Sequence, residues 1–250
     1  MKISQYALDK ILPAAFLLLA AALVSACGGN APRDSSPSNA PAPAATPGAA
    51  VATPVETVPK IVAFGDSLTA GYGLSPRESY PALLQKMIDA DGFKYEVVNA
   101  GESGGTSAGG VRRIDWALDN GEVRFLILEL GANDFLRGQP VSETKKNLSD
   151  IIKRARSRDA QVLLAGMLTT TNTGRDYEVE ISRAFKSLAD EHDVPLIPFF
   201  LEGVAGVDKL NQEDRVHPNA EGTKLVAATV YRHLKPLLEK DARRTTDDGR

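Results

Sequence analysis

From residue 59 onward the chain alternates short apolar runs with stretches in which apolar residues recur every three or four positions. The runs at 60–64, 95–99, 125–130, 162–167 and 194–199 have the length and composition of strands covered on both faces. Between them Tyr80, Leu83, Leu84, Met87 and Ile88 repeat at helical spacing, as do Leu148, Ile151, Ile152 and Ala155, and then Ile181, Ala184, Phe185 and Leu188. A last helix is expected over 219–239, turning Leu225, Val226, Val230, Leu234 and Leu237 inward. Strands that alternate with amphipathic helices predict an α/β domain with a parallel sheet, spanning 59–240. Residues 241–250 are charged and free of large apolar residues, which predicts a disordered, fraying tail.

The N-terminal quarter follows another pattern. Residues 1–26 carry Lys2 and Lys10, then an uncharged run from Ile11 to Ala26 that ends in small residues, the layout of a secretory signal. That run is shorter than the roughly 20 residues that span a bilayer. It closes on Val24-Ser25-Ala26-Cys27, which resembles the lipobox of bacterial lipoproteins and implies lipidation at Cys27. Gly28 stands where an Asp would signal inner-membrane retention, so the same resemblance implies an outer-membrane protein facing the periplasm. Residues 27–58 are rich in Pro, Ala, Ser and Thr, and such a segment buries too little apolar surface to fold; a flexible tether is expected.

Composition narrows the chemistry. A net charge of −3, with Lys and Arg scattered among acids, gives no footprint for nucleic acid. Cys27 is the only cysteine, which excludes internal disulfides and thiolate-rich zinc sites. No clustered His and carboxylate ligands appear, and neither metal nor cofactor is expected.

Four polar clusters fall after strands or in the last loop, where a doubly wound sheet gathers its ligands: Gly65-Asp66-Ser67, the stretch from Gly101 to Thr106, Gly131-Ala132-Asn133-Asp134, and the stretch from Asp214 to Asn219. A serine hydroxyl becomes a nucleophile when an imidazole takes its proton, and the imidazole needs an acceptor that fixes its tautomer. Ser67, His217 and Asp214 supply those three types. Pro218 pushes His217 toward extended backbone, and Asn219 is suited to cap the last helix. The backbone N–H groups of Ser67 and Gly104 and the side-chain amide of Asn133 are candidate oxyanion donors.

Taken in order, GDSLTAGYG, VVNAGESGGTSAGG, ELGANDFLRG and DRVHPN resemble the sequence blocks of the SGNH (GDSL) hydrolases, and most of all their bacterial arylesterase, thioesterase I and lysophospholipase L1 branch. The likeness runs from about Lys60 to Leu238. It implies a three-layer α/β/α sandwich of flavodoxin-like type with a five-stranded parallel sheet. It also implies a catalytic Ser67, His217 and Asp214, an oxyanion hole completed by Gly104 and Asn133, and a small acyl ester or thioester, lipids included, as substrate. The chain departs from the branch at Ala132, where Gly is frequent, and over 168–180, the place of a mobile substrate-side loop.

Gly101-Glu102-Ser103-Gly104-Gly105 fits the G-x-S-x-G nucleophile elbow, but an elbow at Ser103 leaves GDS and GAND without roles. His192 is expected at a helix end, His233 on the last helix, and Asp66 and Asp134 in backbone hydrogen bonds of their turns. A non-catalytic lipid- or glycan-binding lipoprotein and a carbohydrate O-acetyl esterase are the alternative functions.

Overall fold

The structure, a computed structural model, describes residues 58–119, 121–168 and 174–248. The expected leader, Cys27 and the tether as far as residue 57 lie outside them. Five strands form one parallel sheet: β1 (Lys60–Gly65), β2 (Glu96–Gly101), β3 (Val123–Glu129), β4 (Gln161–Ala165) and β5 (Leu196–Ile197). Their order is β2-β1-β3-β4-β5, so the chain winds outward in both directions from the β1–β3 pair. The helices are α1 (Ser67–Ala70), α2 (Tyr80–Ala90), α3 (Ser107–Leu118), α4 (Ala132–Leu136), α5 (Val141–Arg156), α6 (Arg175–His192) and α7 (Ala220–Asp248). α3, α5 and α6 pack side by side, and α2 packs on α7. The result is the α/β/α sandwich implied by the sequence blocks.

The central strands are apolar for the reason anticipated: Ile61 to Phe64 and Phe125 to Leu128 are fully buried between helix layers. The two edges depart from expectation. β2 keeps Glu96 and Asn99 exposed, because an edge strand needs less cover. β5 shrinks to two residues because Pro195 and Pro198 flank it and neither has an N–H to give to the ladder.

The C-terminal end requires correction. The expected tail over 241–250 is helical as far as Asp248, and Asp241 is buried. Its carboxylate accepts from the Tyr95 hydroxyl at 2.8 Å and from Arg124 Nε at 2.9 Å, tying α7 to the N-terminal edge of the sheet. A charge-rich window reads as solvated because ion pairs made with distant residues leave no trace in local composition. Leu225 also departs, being 44 % exposed: the buried stripe of α7 runs through Val226, Val230, Leu234 and Leu238, and Leu225 lies beside it. The second half of the expected loop over 168–180 is helix, since α6 begins at Arg175; residues 169–173 lie outside the described set. No helix among the described residues is long and apolar enough to cross a membrane.

Candidate active site

The β1–β3 pair is the switch point of the sheet, the place where crossovers leave in opposite directions and the strand ends open a crevice. Asp66 follows β1 directly and caps α1, its Oδ1 accepting from Leu68 N–H at 3.0 Å. Ser67 is thereby the first residue of α1, at the crevice. Gly65 is required here: a Cβ would sit 2.0 Å from Thr69 Oγ1 and 2.3 Å from Glu129 Oε2.

His217 reaches Ser67 from the loop before α7. Gln212 N–H bonds the His217 carbonyl at 2.8 Å and residues 211 and 218 form an antiparallel bridge, the extended backbone that Pro218 demands. Asp214 Oδ1 accepts from the N–H groups of Val216 and His217, at 2.9 and 3.0 Å, across a turn that places Arg215 at φ 59°. Asp214 Oδ2 lies 2.7 Å from His217 Nδ1, and His217 Nε2 lies 2.9 Å from Ser67 Oγ. Partial burial works against ionisation of Asp214, but hydrogen bonds from the His217 N–H, the imidazole and Val216 N–H outweigh it and hold the carboxyl down to about 2. An ionised Asp214 only accepts, so Nδ1 carries the imidazole proton and Nε2 is free to accept from the serine hydroxyl. The ring of Tyr72 lies against His217, with centroids 4.6 Å apart.

The other clusters close the site. Asn133, on α4 directly after β3, donates from Nδ2 to Asp66 Oδ2 at 2.9 Å. Gly104, at φ +78°, lines the same cavity, and Arg137 donates to its carbonyl at 3.1 Å. Gly101 does not reach the cavity role: it packs under α1, where a Cβ would meet Ala70 N at 2.2 Å. The cavity holds about 250 Å³ and is lined by the polar Ser67, Asn133 and His217 together with the apolar Leu68, Leu136, Met167, Leu201 and Val216. Ala132 also lines it. Ser103 lies in the same cavity, but the imidazole nitrogen is directed at Ser67.

His192 and His233 fall on the helices expected of them, whereas Asp134 bonds to another element rather than within its own turn. His192 ends α6 and bonds Ser149 Oγ at 2.8 Å; His233 Nδ1 lies 2.9 Å from the Thr229 carbonyl, within α7. Asp134 is buried and accepts from Ser107 N–H at 2.8 Å and Ser107 Oγ at 2.5 Å, fastening α4 to α3. Sequence reasoning gave no role to Glu129, which is fully buried beneath Asp66. A carboxylate at the end of an apolar strand, as in ILELGAND, was the available signal.

Comparison with known proteins agrees with the geometry. The profile of the GDSL-like lipase/acylhydrolase family matches residues 63–225. Esterase TesA of Pseudomonas aeruginosa is 39% identical over 178 residues, covering 71% of this chain and 89% of that protein. Thioesterase 1/protease 1/lysophospholipase L1 of Escherichia coli strain K12 is 37% identical over 182 residues, covering 73% and 86%. The crystal structure of the psychrotrophic esterase EstA from Pseudoalteromonas sp., inhibited by monoethylphosphonate, superposes with a TM-score of 0.69 at 34% identity and covers 72% of this chain and 98% of that one. A profile matching most of the chain, relatives well above 30% identity and a shared fold lead to one conclusion: this chain belongs to the GDSL-like lipase/acylhydrolase family, the SGNH hydrolases.

Proposed function

We propose that the protein hydrolyses carboxylic esters or thioesters through an acyl-enzyme on Ser67. The observation that carries this reading is the Ser67–His217–Asp214 relay, with links of 2.9 and 2.7 Å, whose Ser67 and His217 line an apolar-walled cavity. His217 Nε2 takes the Ser67 proton as Oγ bonds to the substrate carbonyl carbon. The oxyanion is met by the N–H groups of Ser67 and Gly104 and by Asn133 Nδ2. Collapse breaks the bond to the alcohol or thiol, which leaves with the proton held on His217. Water then attacks the acyl-enzyme, again giving its proton to His217, and the acid departs as Ser67 regains its hydrogen. Asp214 holds the imidazole in the required tautomer and balances its transient charge.

Relatives named esterase and thioesterase support this substrate class, and an esterase relative trapped with a phosphonate supports attack by an activated hydroxyl. The apolar walls favour the acyl half of the substrate. Turnover of p-nitrophenyl esters and acyl thioesters of graded chain length by the full-length protein tests the reading. Ser67→Ala abolishes turnover and fluorophosphonate labelling, whereas Ser103→Ala retains both; retained labelling in Ser67→Ala with loss in Ser103→Ala would move the nucleophile to Ser103.

The envelope location is part of the same proposal. The lipobox-like end of the leader supports a lipid on Cys27, and the tether over 27–58 supports a domain held off an outer membrane on its periplasmic side. Wild-type protein in the membrane fraction and Cys27→Ser in the soluble periplasmic fraction is the expected result; soluble wild-type protein contradicts it.

A further inference from the structure

Two carboxyl groups lie stacked behind the nucleophile, and neither belongs to the proton relay. Asp66 is 1% exposed and Glu129 is fully buried. Glu129 Oε2 accepts from Asp66 N–H at 3.2 Å and from Thr69 Oγ1 at 2.6 Å, while its Oε1 finds no hydrogen-bond partner among the described residues. Asp66 uses both oxygens as acceptors, one for Leu68 N–H and one for Asn133 Nδ2. The charged and titratable groups around the pair come from three other elements. Arg113 of α3 gives its hydrogen bonds to the carbonyls of Gly65 and Ala100 rather than to either carboxyl. Tyr80 of α2 has its hydroxyl 3.5 Å from Thr69 Oγ1 on α1, and His217 faces Asp66 from the last loop.

We propose that Asp66 is a positioning residue that aims the Asn133 amide into the oxyanion site, and that Glu129 is kept as a neutral acid beneath it so that Asp66 alone carries the negative charge. Two adjacent buried carboxyls do not both ionise, because each charge would be desolvated and would repel the other. The hydrogen-bond pattern says which one keeps the proton. Asp66 is met by two donors on separate oxygens, as an ionised group requires; Glu129 has one oxygen unpartnered, which a buried charge does not tolerate. Burial, reinforced by the Asp66 charge, pushes Glu129 well above the usual carboxyl range, whereas burial of Asp66, opposed by Leu68 N–H and the Asn133 amide, raises it only to about 6. Fixing one Nδ2 proton of Asn133 on Asp66 leaves the other to point at the developing oxyanion.

This inference rests on Asn133 serving as an oxyanion donor, and the tests separate the two ideas. In full-length protein labelled with ¹³C at the glutamate carboxyls, one resonance stays at the shift of a protonated acid at neutral pH and is missing from Glu129→Gln; carboxyl resonances all at the ionised shift overturn the assignment, whatever the activity. For positioning, Asp66→Asn lowers kcat by about 10²- to 10³-fold, the loss typical of one oxyanion donor, with little change in KM. In an Asn133→Ala background the same substitution costs less than about threefold, since the group it aims is already gone. Asp66→Ser, which can still cap α1 but cannot reach Asn133, shows the same dependence on background and serves if the Asn variant does not fold. An equal loss of kcat in both backgrounds overturns positioning, while turnover by Ser67→Ala would instead overturn the hydrolase reading.

Discussion

Replacing Asp241 by Ala removes a carboxylate that fastens the C-terminal part of α7 to three strands. Its side chain is 3% exposed and its main partner Arg124, on β3, is 18% exposed. Tyr95 just before β2 gives it a hydrogen bond at 2.8 Å, and Gln161 on β4 approaches at 3.5 Å. Removing one member of a buried ion pair costs about 3–5 kcal/mol, because the partner is left desolvated. Arg124 can turn partly toward water, which favours the lower end, about 3 kcal/mol. A domain of this size loses about 2–4 °C of Tm per kcal/mol, so the melting temperature should fall by about 6–12 °C. Circular dichroism melts of both proteins read this directly, and esterase turnover at 25 °C should be unchanged because Asp241 sits at the sheet edge opposite Ser67. Burial disfavours the ionised Asp241, but Arg124 and Tyr95 outweigh it and hold its carboxyl below the ordinary value. A depressed acid contributes stability above its unfolded pKa and loses it as pH falls, so the gap in Tm between the two proteins should narrow below about pH 4. A drop of less than about 2 °C at neutral pH would refute the staple and restore a fraying tail.

Gly65→Ala forces a Cβ between Thr69 Oγ1 and Glu129 Oε2, 2.0 and 2.3 Å away, and should cost about 3 kcal/mol or more by overpacking and loss of their hydrogen bond; a shift in the urea midpoint checks it. Asp214→Ala takes away the acceptor at 2.7 Å from His217 Nδ1 and should lower kcat on the order of 10³- to 10⁴-fold with a smaller change in KM, read by steady-state ester hydrolysis. Protonating Asp66 below about pH 6 should loosen its hold on Asn133 and lower kcat on the acid side; in Asn133→Ala that contribution to the pH profile should be absent.

The sheet and most helices were legible because their signal is local: Phe125 to Leu128 is apolar throughout and Leu148, Ile151, Ile152 and Ala155 repeat at helical spacing. The Ser67–His217–Asp214 relay was legible for another reason, and the proposed oxyanion donors lie in blocks of the same kind. Each belongs to a short block whose turn chemistry is self-explanatory, Gly-Asp-Ser after a strand and Asp-x-x-His-Pro before a helix, so residue types and order sufficed. What escaped was whatever depends on a partner far along the chain. Asp241 looks like part of a charged tail until Arg124 is placed beside it, 117 residues away. Glu129 looks like an interruption of a strand until Asp66 is stacked on it, 63 residues away. The same distinction explains why Gly-Asp-Ser is one unit rather than three residues that happen to adjoin. Gly65 leaves room for Thr69 to bond Glu129, Glu129 fixes the N–H of Asp66, Asp66 caps α1 and holds Asn133, and Ser67 is presented at the start of that capped helix. The nucleophile and one proposed oxyanion donor are therefore tied to the same buried carboxylate through separate oxygens, and a substitution at Asp66 that keeps the cap on α1 should disturb the donor alone.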